Sequence, residues 1–416
     1  MRSVVCGSVV LVSLLFSQGQ YIMKQAIILN EGPFGGPVTV GAYDPVSKSY
    51  QVFDSVGARF ASHVIIDSGY IYVAADSLII KYNSTTKQKV LSRVVKGVRK
   101  LAIWKNELLV TRAEINPLPT YFQVYDKNTF NLIYELSLSE RAEGVGVLGD
   151  TAYVAINGWG AVGKLARIDL NAQSLIDEID LGPDGLNPGP VFVSKAQRKV
   201  YTVNALNYQN ASVSIYDANT GQVSSILLNR PSACVGSVYY LNNIYYQING
   251  YKDIEVFSTT GLVTWDTLFI NKSIYGIDID SINARIWVSE TDYQTYGKVI
   301  MYSFYGQKID SFDVGVSPGN FAFEVVEVSG VAEPLNNDKN IFINYDASGD
   351  VLSVLWTSEE NGDGLLRLTT IDGRELFNKS IRSGVVYNIP LGTLPRSIYT
   401  VSIYGDSEVS VKKFVK

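Results

Sequence analysis

A short motif recurs seven times along the chain, and its spacing restricts the fold more than any other feature. Each copy is an apolar strand that ends in Tyr-Asp or an equivalent pair, followed by a polar turn and a second strand. Asp, Asn and Ser recur at the turn because their side chains bond the backbone two residues later. Successive turns are 39, 43, 43, 48, 41 and 45 residues apart. The turn residues are Asp44, Asn83, Asp126, Asp169, Asp217, Ser258 and Ser303.

Further strand pairs lie between these hairpins, so each period holds four short strands. Four strands per period of this length is the pattern of a β-propeller blade. Seven outer hairpins are present, but only six complete inner pairs. The strand "NFAFEV" (residues 320–325) is therefore predicted to be the innermost strand of a blade completed by "AIILNEG", "VTVGAYD" and "YQVFDSV". We expect an all-β, seven-bladed β-propeller over residues 20–328, closed by its N- and C-terminal strands.

The last part of the chain has a separate β pattern. Residues 329–339 are predicted to be a linker, and residues 340–416 a small β-sandwich with no chemistry in it. Hairpin turns are predicted at Gly349-Asp350 and Asp372-Gly373.

The N-terminus has the pattern of a secretory signal peptide over residues 1–19. One arginine precedes an apolar run from Val4 to Phe16, which is too short to span a membrane. The mature chain is expected to begin near Gln20 and to keep a single cysteine, Cys234, which we expect to be a small buried residue. A net charge of -5 and the lack of a basic stripe argue against nucleic acid as a partner.

The C-terminal segment carries the sequences "DGRELFN" (372–378), "LPRSIYTVSI" (394–403) and "VKKFVK" (411–416). With these it resembles the type A sorting domain of the type IX secretion system of Bacteroidota, although that family usually has Gly where Ser397 stands. The resemblance implies that residues 340–416 engage the type IX secretion machinery. Export across the outer membrane and removal of the domain would follow, leaving a secreted or cell-surface protein.

The larger part of the chain carries "ILNEGPFGG" (28–36), "YGIDIDSINARIWVSETDYQTYGKVIMYSFYGQKIDSF" (275–312) and "DVGVSPGNFAF" (313–323). It resembles the YncE-like surface propellers of Bacteroidota. That family includes propellers that capture cobalamin beside an outer-membrane transporter, which implies a cobamide ligand and a transporter partner. Those proteins are typically lipoproteins, whereas this chain has no lipobox.

The loops that join the second and third strands of the blades are rich in aromatic residues with polar neighbours. Such loops surround one mouth of a propeller channel, and rigid aromatics with a few polar groups suit a sizeable organic ligand or a glycan. Asn30 and Glu31 are open to a second interpretation, a structural bond across the ring closure. The predicted ligand-binding residues are Asn30, Glu31, Phe34, Arg59, Tyr121, Arg141, Trp159, Tyr208, Tyr251, Glu290, Asp292, Tyr293 and Tyr296.

The sequence favours a binding protein over an enzyme but leaves three classes open. No cofactor motif or metal-ligand string is present, and the single histidine, His63, has no strand-to-helix G-x-S-x-G elbow to serve, because the one such string (315–319) lies between predicted strands. A metal-dependent hydrolase or lyase would need a carboxylate cluster in the channel. An adhesin-like scaffold would bind a macromolecule with the aromatic face. The carboxylates available for a metal are Glu31, Glu114, Glu143, Glu290 and Asp292.

Overall fold

The computed structural model divides the chain into two compact units, with the boundary after Val328. The predicted signal peptide, Cys234, the predicted linker and most of both predicted C-terminal turns lie outside the described residues. The structure describes residues 20–160, 162–228, 230–232, 236–304, 306–328, 341–346, 350–357, 363–370, 374–392, 394, 398–405 and 409–416.

Over its described residues, the first unit is built of antiparallel strands with one short 3-10 helix at Pro183–Gly185. The strands are β1 (Gln20–Asn30), β2 (Val38–Asp44), β3 (Ser49–Val56), β4 (Ala61–Asp67), β5 (Tyr70–Ala75), β6 (Leu78–Asn83), β7 (Lys89–Val94), β8 (Val98–Trp104), β9 (Glu107–Arg112), β10 (Phe122–Asp126), β11 (Leu132–Leu136), β12 (Ala142–Leu148), β13 (Thr151–Ile156), β14 (Lys164–Asp169), β15 (Ser174–Asp180), β16 (Pro188–Ser194), β17 (Lys199–Asn204), β18 (Ser212–Asp217), β19 (Val223–Leu227), β20 (Ser237–Tyr240), β21 (Asn243–Ile248), β22 (Asp253–Ser258), β23 (Val263–Leu268), β24 (Ile277–Asp280), β25 (Arg285–Thr291), β26 (Gly297–Ser303), β27 (Lys308–Val314) and β28 (Pro318–Val328).

These strands form seven four-stranded sheets within the described residues. Sheet 1 has the order β28-β1-β2-β3, which joins the two ends of the unit. Sheets 2 to 7 are β4–β7, β8–β11, β12–β15, β16–β19, β20–β23 and β24–β27, each in chain order from its innermost strand outwards.

The predicted closure of the ring is confirmed. β28 pairs with β1 along almost its whole length, with Phe321 opposite Ile28 and Phe323 opposite Ala26. Both strands extend beyond the predicted segments, since Gln20 still pairs with Val328. The lone strand therefore has its edge covered, as the sequence required.

The apolar core formed by the described residues of the first unit is divided into seven clusters, each between two neighbouring sheets. Alternate residues of one strand face opposite clusters: Ile27 and Leu29 pack toward sheet 2, and Ala26 and Ile28 toward sheet 7. Because both faces of the middle strands are buried, those strands are almost continuously apolar. The last cluster joins sheet 7 to sheet 1 around Trp287, so the sheets follow one another in a closed, β-propeller-like ring.

The recurring turn works as the sequence predicted. The side chain of Asp126 accepts hydrogen bonds from the backbone N–H groups of Asn128 and Thr129, at 3.0 and 2.8 Å. Asn83, Asp169 and Asp217 each cap two backbone N–H groups in the same way. These local bonds fix the hairpin between the third and fourth strand of a sheet and hence the period of the repeat.

The second unit consists of two sheets, and its described residues share one apolar cluster. The sheet orders are β29-β30-β33 and β32-β31-β34-β35, which confirms the predicted β-sandwich. None of the described residues belongs to a helix long and apolar enough to cross a membrane. The strands are β29 (Ile341–Asp346), β30 (Val351–Trp356), β31 (Asp363–Thr370), β32 (Glu375–Arg382), β33 (Val386–Pro390), β34 (Ile398–Tyr404) and β35 (Val409–Val415).

Candidate functional site

A cavity of about 590 Å³ lies at the centre of the ring, where the innermost strands of the sheets converge. Its walls carry charged and polar side chains from β4, β8, β12 and β24, and its mouth is bounded by Trp159 and Tyr208. Ligand pockets for small organic molecules have volumes in this range.

β-Bulges direct charged side chains into the cavity. In β8 the pairing with β9 slips by one residue between Val98 and Leu101, which leaves Arg99 and Lys100 in the bulge. β12 has the same irregularity at Glu143 and Gly144. A bulge adds one residue to a strand and re-aims its neighbours, which is why two consecutive side chains can both line the cavity.

Arg99 and Glu143 form a bidentate ion pair across neighbouring sheets. The Arg99 Nη2 and Nε atoms lie 2.7 and 2.9 Å from the two Glu143 carboxylate oxygens. Glu143 is 13% exposed and Arg99 32% exposed, so removing Arg99 would leave a largely buried carboxylate without this partner.

Lys100 and His63 are the other basic side chains on this wall. Lys100 Nζ donates to the Ser62 carbonyl at 3.0 Å, and burial lowers the pKa of Lys100 to about 8. His63 Nδ1 accepts a hydrogen bond from the Leu101 N–H at 3.1 Å. Burial and the nearby Lys100 charge hold the pKa of His63 well below its usual value, so its ring is neutral at pH 7.

The far wall carries Asp278, from β24, and Tyr275, which precedes that strand. Asp278 Oδ1 accepts a hydrogen bond from the Ile279 N–H at 2.7 Å. Burial raises the pKa of Asp278 to about 7. The Tyr275 hydroxyl donates to the Glu31 carboxylate at 2.9 Å, and the Tyr293 ring packs edge-on against Tyr275.

The aromatic pair at the mouth is held in place by specific contacts. The Tyr208 hydroxyl donates to the Trp159 carbonyl at 3.3 Å, and the Arg141 guanidinium lies 4.8 Å from the centre of the Trp159 ring. Arg141 also donates to the carbonyls of Glu114 and Ile115, at 2.7 and 2.8 Å. Trp159 and Tyr208 have positive φ angles of 57° and 59°, a left-handed backbone that also occurs at hairpin-turn residues of this protein such as Lys48 and Gln173.

Of the predicted binding residues, Trp159 and Tyr208 line the cavity, and the others are not among its lining residues. Phe34, Tyr293 and Tyr296 are exposed aromatics. Arg59 is exposed but paired with Asp76 at 2.7 Å, and Tyr251 is half-buried.

The two predicted acidic residues at the end of β25, Glu290 and Asp292, each have a partner close by in the structure. Glu290 lies 3.7 Å from Lys272. Asp292 caps its own turn through the N–H groups of Gln294 and Thr295, at 2.8 and 2.7 Å. These bonds, with that of the Thr295 hydroxyl, hold the pKa of Asp292 well below its usual range.

Tyr121 and Asn30 do not have the exposed positions that were predicted for them. Tyr121 is only 7% exposed and belongs to the apolar cluster between sheets 3 and 4. Asn30 is fully buried, and its amide donates to the Tyr50 hydroxyl and to Thr39 Oγ1, at 2.8 and 3.0 Å. These bonds join Asn30 to β2 and β3 within sheet 1, which is a structural role. The second interpretation had expected a bond across the ring closure instead. Asn30 is the last residue of β1, and Tyr121 directly precedes β10.

The carboxylates considered for a metal site are held apart by different partners. Glu143 is bound by Arg99, Glu290 faces Lys272, and Glu31 accepts from Tyr275. Among the described residues, no group of three or more His, Cys, Asp or Glu side chains is placed to hold a metal ion.

Sequence reasoning missed Arg99, Lys100, Tyr275 and Asp278 as cavity residues. A signal was present in "GVRKLAIW", because two consecutive basic residues at the start of an innermost strand break the apolar alternation of a buried strand. An ionisable residue near the channel end of such a strand points to a bulge or to the cavity.

The closed ring of four-stranded sheets around a central cavity defines a β-propeller-like protein. Among solved structures, the chain is similar to hydrazine synthase of Kuenenia stuttgartiensis, with a TM-score of 0.53 and 14% sequence identity. The alignment covers 72% of this chain and 96% of that chain. At this identity the similarity concerns the fold alone. No protein-family model and no curated protein matches the chain.

Proposed function

We propose that the first unit is a ligand-binding propeller that takes a small organic molecule into the central cavity. The observation that carries this proposal is the cavity itself, with charged walls and a mouth bounded by two braced aromatic rings. Aromatic surfaces at the mouth with a few fixed polar groups inside are the usual composition of such sites.

The resemblance to surface propellers adds a cobamide, another small molecule or a glycan as candidate ligands. A cavity of about 590 Å³ encloses a drug-sized molecule. A cobamide is larger, so it would rest across the mouth against Trp159 and Tyr208. The dispersed carboxylates give no support to the metal-dependent alternative.

A calorimetric screen tests the proposal on the chain from Gln20 to Lys416, with cobalamin, simple saccharides and amino-acid-sized metabolites as probes. We expect one-to-one binding of one of them, weakened by about 1 to 3 kcal/mol in Trp159→Ala. Tyr293→Ala, which removes the ring that supports Tyr275, is expected to weaken it by a similar amount.

Phe34→Ala is the matched control, because Phe34 is an exposed aromatic outside the cavity lining. Its affinity should stay within twofold of the parent chain. Unchanged affinity in both Trp159→Ala and Tyr293→Ala would refute a ligand at this mouth. Binding only to a glycan array or to a protein surface, with Phe34→Ala as damaging as Trp159→Ala, would favour the adhesin-like alternative.

The proposal includes export, on the strength of the N-terminal pattern and the sorting-domain resemblance. It predicts a mature protein in the medium or on the cell surface that begins near Gln20 and lacks residues 340–416. Mass spectrometry of the cell-surface and secreted fractions measures both ends. A cytoplasmic protein with an intact N-terminus would contradict the export proposal and leave the ligand proposal standing.

A further inference from the structure

The chemical class of the ligand can be inferred from two cavity residues that lack a partner of opposite charge; the inference rests on the function proposed above. Among the described residues, Lys100 forms no ion pair, and its ammonium group donates only to the Ser62 carbonyl. The nearest carboxylate, Glu143, is already bound on both oxygens by Arg99.

Asp278 is in the complementary situation. Within the described part of the chain its carboxyl group accepts only from the Ile279 N–H and faces no lysine or arginine. Its nearest charged neighbour is another carboxylate, Asp280. The other acidic group near this wall, Glu31, is bound to the Tyr275 hydroxyl.

The ring places these two groups on opposite walls of one cavity. Lys100 belongs to sheet 3 and Asp278 to sheet 7, with sheets 1 and 2 between them in one direction and sheets 4 to 6 in the other. The Arg99–Glu143 pair is neutral as a unit, and His63 is neutral. Among the described residues that line the cavity, Lys100 is thus a cation and Asp278 an acid without an ion-pair partner, and they belong to opposite sides of the ring.

Uncompensated buried charge is costly, and a ligand that supplies the missing counter-charges recovers that cost. We propose that the cavity binds a zwitterionic small molecule, whose carboxylate pairs with Lys100 and whose ammonium group pairs with Asp278. The rings of Trp159 and Tyr208 would cover its apolar part at the mouth.

The lowered pKa of Lys100 and the raised pKa of Asp278 agree with two charges that lack partners. Pairing with a zwitterion would raise the pKa of Lys100 and lower that of Asp278, so Lys100 takes up protons while Asp278 releases them. A simple carboxylate engages only Lys100 and causes net proton uptake.

The test is calorimetric titration of the chain from Gln20 to Lys416 at pH 7.5, in two buffers of different ionisation enthalpy. The probes are phenylalanine, ε-aminocaproate, γ-aminobutyrate and β-alanine. Phenylpropionate, phenethylamine, caproate and hexylamine are the singly charged controls. We expect at least one zwitterion to bind about tenfold or more tightly than its singly charged controls, with less net proton uptake than its carboxylate control.

Lys100→Met and Asp278→Asn are each expected to reduce this affinity by about tenfold or more. Lys105→Met and Asp313→Asn are the matched controls, since both parent side chains are exposed outside the cavity, and they should leave the affinity unchanged. The proton balance of the parent chain tests the same inference if a cavity variant fails to fold.

Equal affinity for caproate and ε-aminocaproate, or net proton uptake with the zwitterion as large as that with its carboxylate control, would overturn the inference. So would the lack of binding of every zwitterion at about 10 mM. If another ligand class binds through Trp159 in the preceding screen, the proposed function stands and only the ligand class is wrong.

Discussion

The ring closure depends on a buried carboxylate whose removal gives a quantitative prediction. Glu324, in β28, accepts hydrogen bonds from Ser84 Oγ at 2.8 Å and from the amide of Gln25 in β1. Lys24 Nζ lies 3.2 Å from the same carboxylate. Glu324 thus joins the last strand to the first strand and to the second sheet. We predict that Glu324→Gln loosens this junction.

The loss in free energy of unfolding depends on which hydrogen-bond donors lose their acceptor in Glu324→Gln. Gln keeps one oxygen, so it satisfies one of the two buried donors, while its new amide group faces the other. A hydrogen bond to a charged acceptor contributes about 1.5 to 3 kcal/mol, and a buried unsatisfied donor costs about 1 to 3 kcal/mol. The partly exposed Lys24 pair adds less than about 1 kcal/mol. The free energy of unfolding should fall by about 3 kcal/mol.

The effect has a defined pH dependence. Burial raises the pKa of Glu324, but the bonds from Gln25, Ser84 and Lys24 lower it by more, and the net pKa lies below its usual value. A carboxyl group with a lowered folded-state pKa stabilises the protein above its unfolded-state pKa of about 4.3. That contribution is lost as the pH falls through the folded-state value. The difference between the parent chain and Glu324→Gln should be constant from neutral pH down to about pH 5 and shrink below pH 4.

Urea unfolding followed by tryptophan fluorescence measures the loss, because Trp287 is buried in the cluster between sheets 7 and 1. Hydrogen exchange of the β28 amides gives the local effect, with β34 of the second unit as the reference. Asp313→Asn is the control, since its carboxylate is 85% exposed beside Lys298 and its loss should cost under about 0.5 kcal/mol. A loss of less than 1 kcal/mol in Glu324→Gln, or an equal loss at pH 7 and pH 3.5, would refute the reasoning.

Three further predictions concern the core and the cavity wall. Tyr121→Ala should lower the free energy of unfolding in urea by about 3 kcal/mol, because the Tyr121 ring fills the cluster between sheets 3 and 4. A loss under about 0.5 kcal/mol would mean that the ring lies at the surface. Gly97→Ala should destabilise the chain by about 1 to 3 kcal/mol, since φ is +72° and a Cβ would meet the Ala113 carbonyl at 2.6 Å; an unchanged melting temperature would contradict this. Arg99→Met should lower the free energy of unfolding by about 3 to 5 kcal/mol at pH 7, because it leaves Glu143 buried and unpaired. The double variant Arg99→Met/Glu143→Gln should recover part of this loss. No recovery would mean that the pair itself stabilises the fold.

Much of the fold was predictable because it depends on local bonds. The turn residues Asp126 and Asp217 cap the backbone next to them, so they mark the hairpins in the sequence whatever surrounds them. The closure was predictable by counting, since an unpaired strand at residues 320–325 requires an edge to cover it. The export signals and the ligand class taken from the resemblance remain predictions.

The aromatic mouth was predictable in part. Trp159 and Tyr208 lie in the loops where the repeat placed them, and both bound the cavity. Tyr121 lies in an equivalent loop, but its ring packs into the apolar cluster between sheets 3 and 4. Composition alone does not separate an aromatic that lines a mouth from one that covers a core.

The sequence by itself determined the period, the turns, the two-unit organisation and the need for closure, since each depends on residues close in the chain or on the pairing of strands. Only the tertiary structure decided which side chains meet in the cavity. Lys100 and Asp278 are far apart in the chain and line the same cavity because the ring brings sheet 3 opposite sheet 7. A one-residue bulge, which leaves no periodic trace, turns Arg99 and Lys100 inward together.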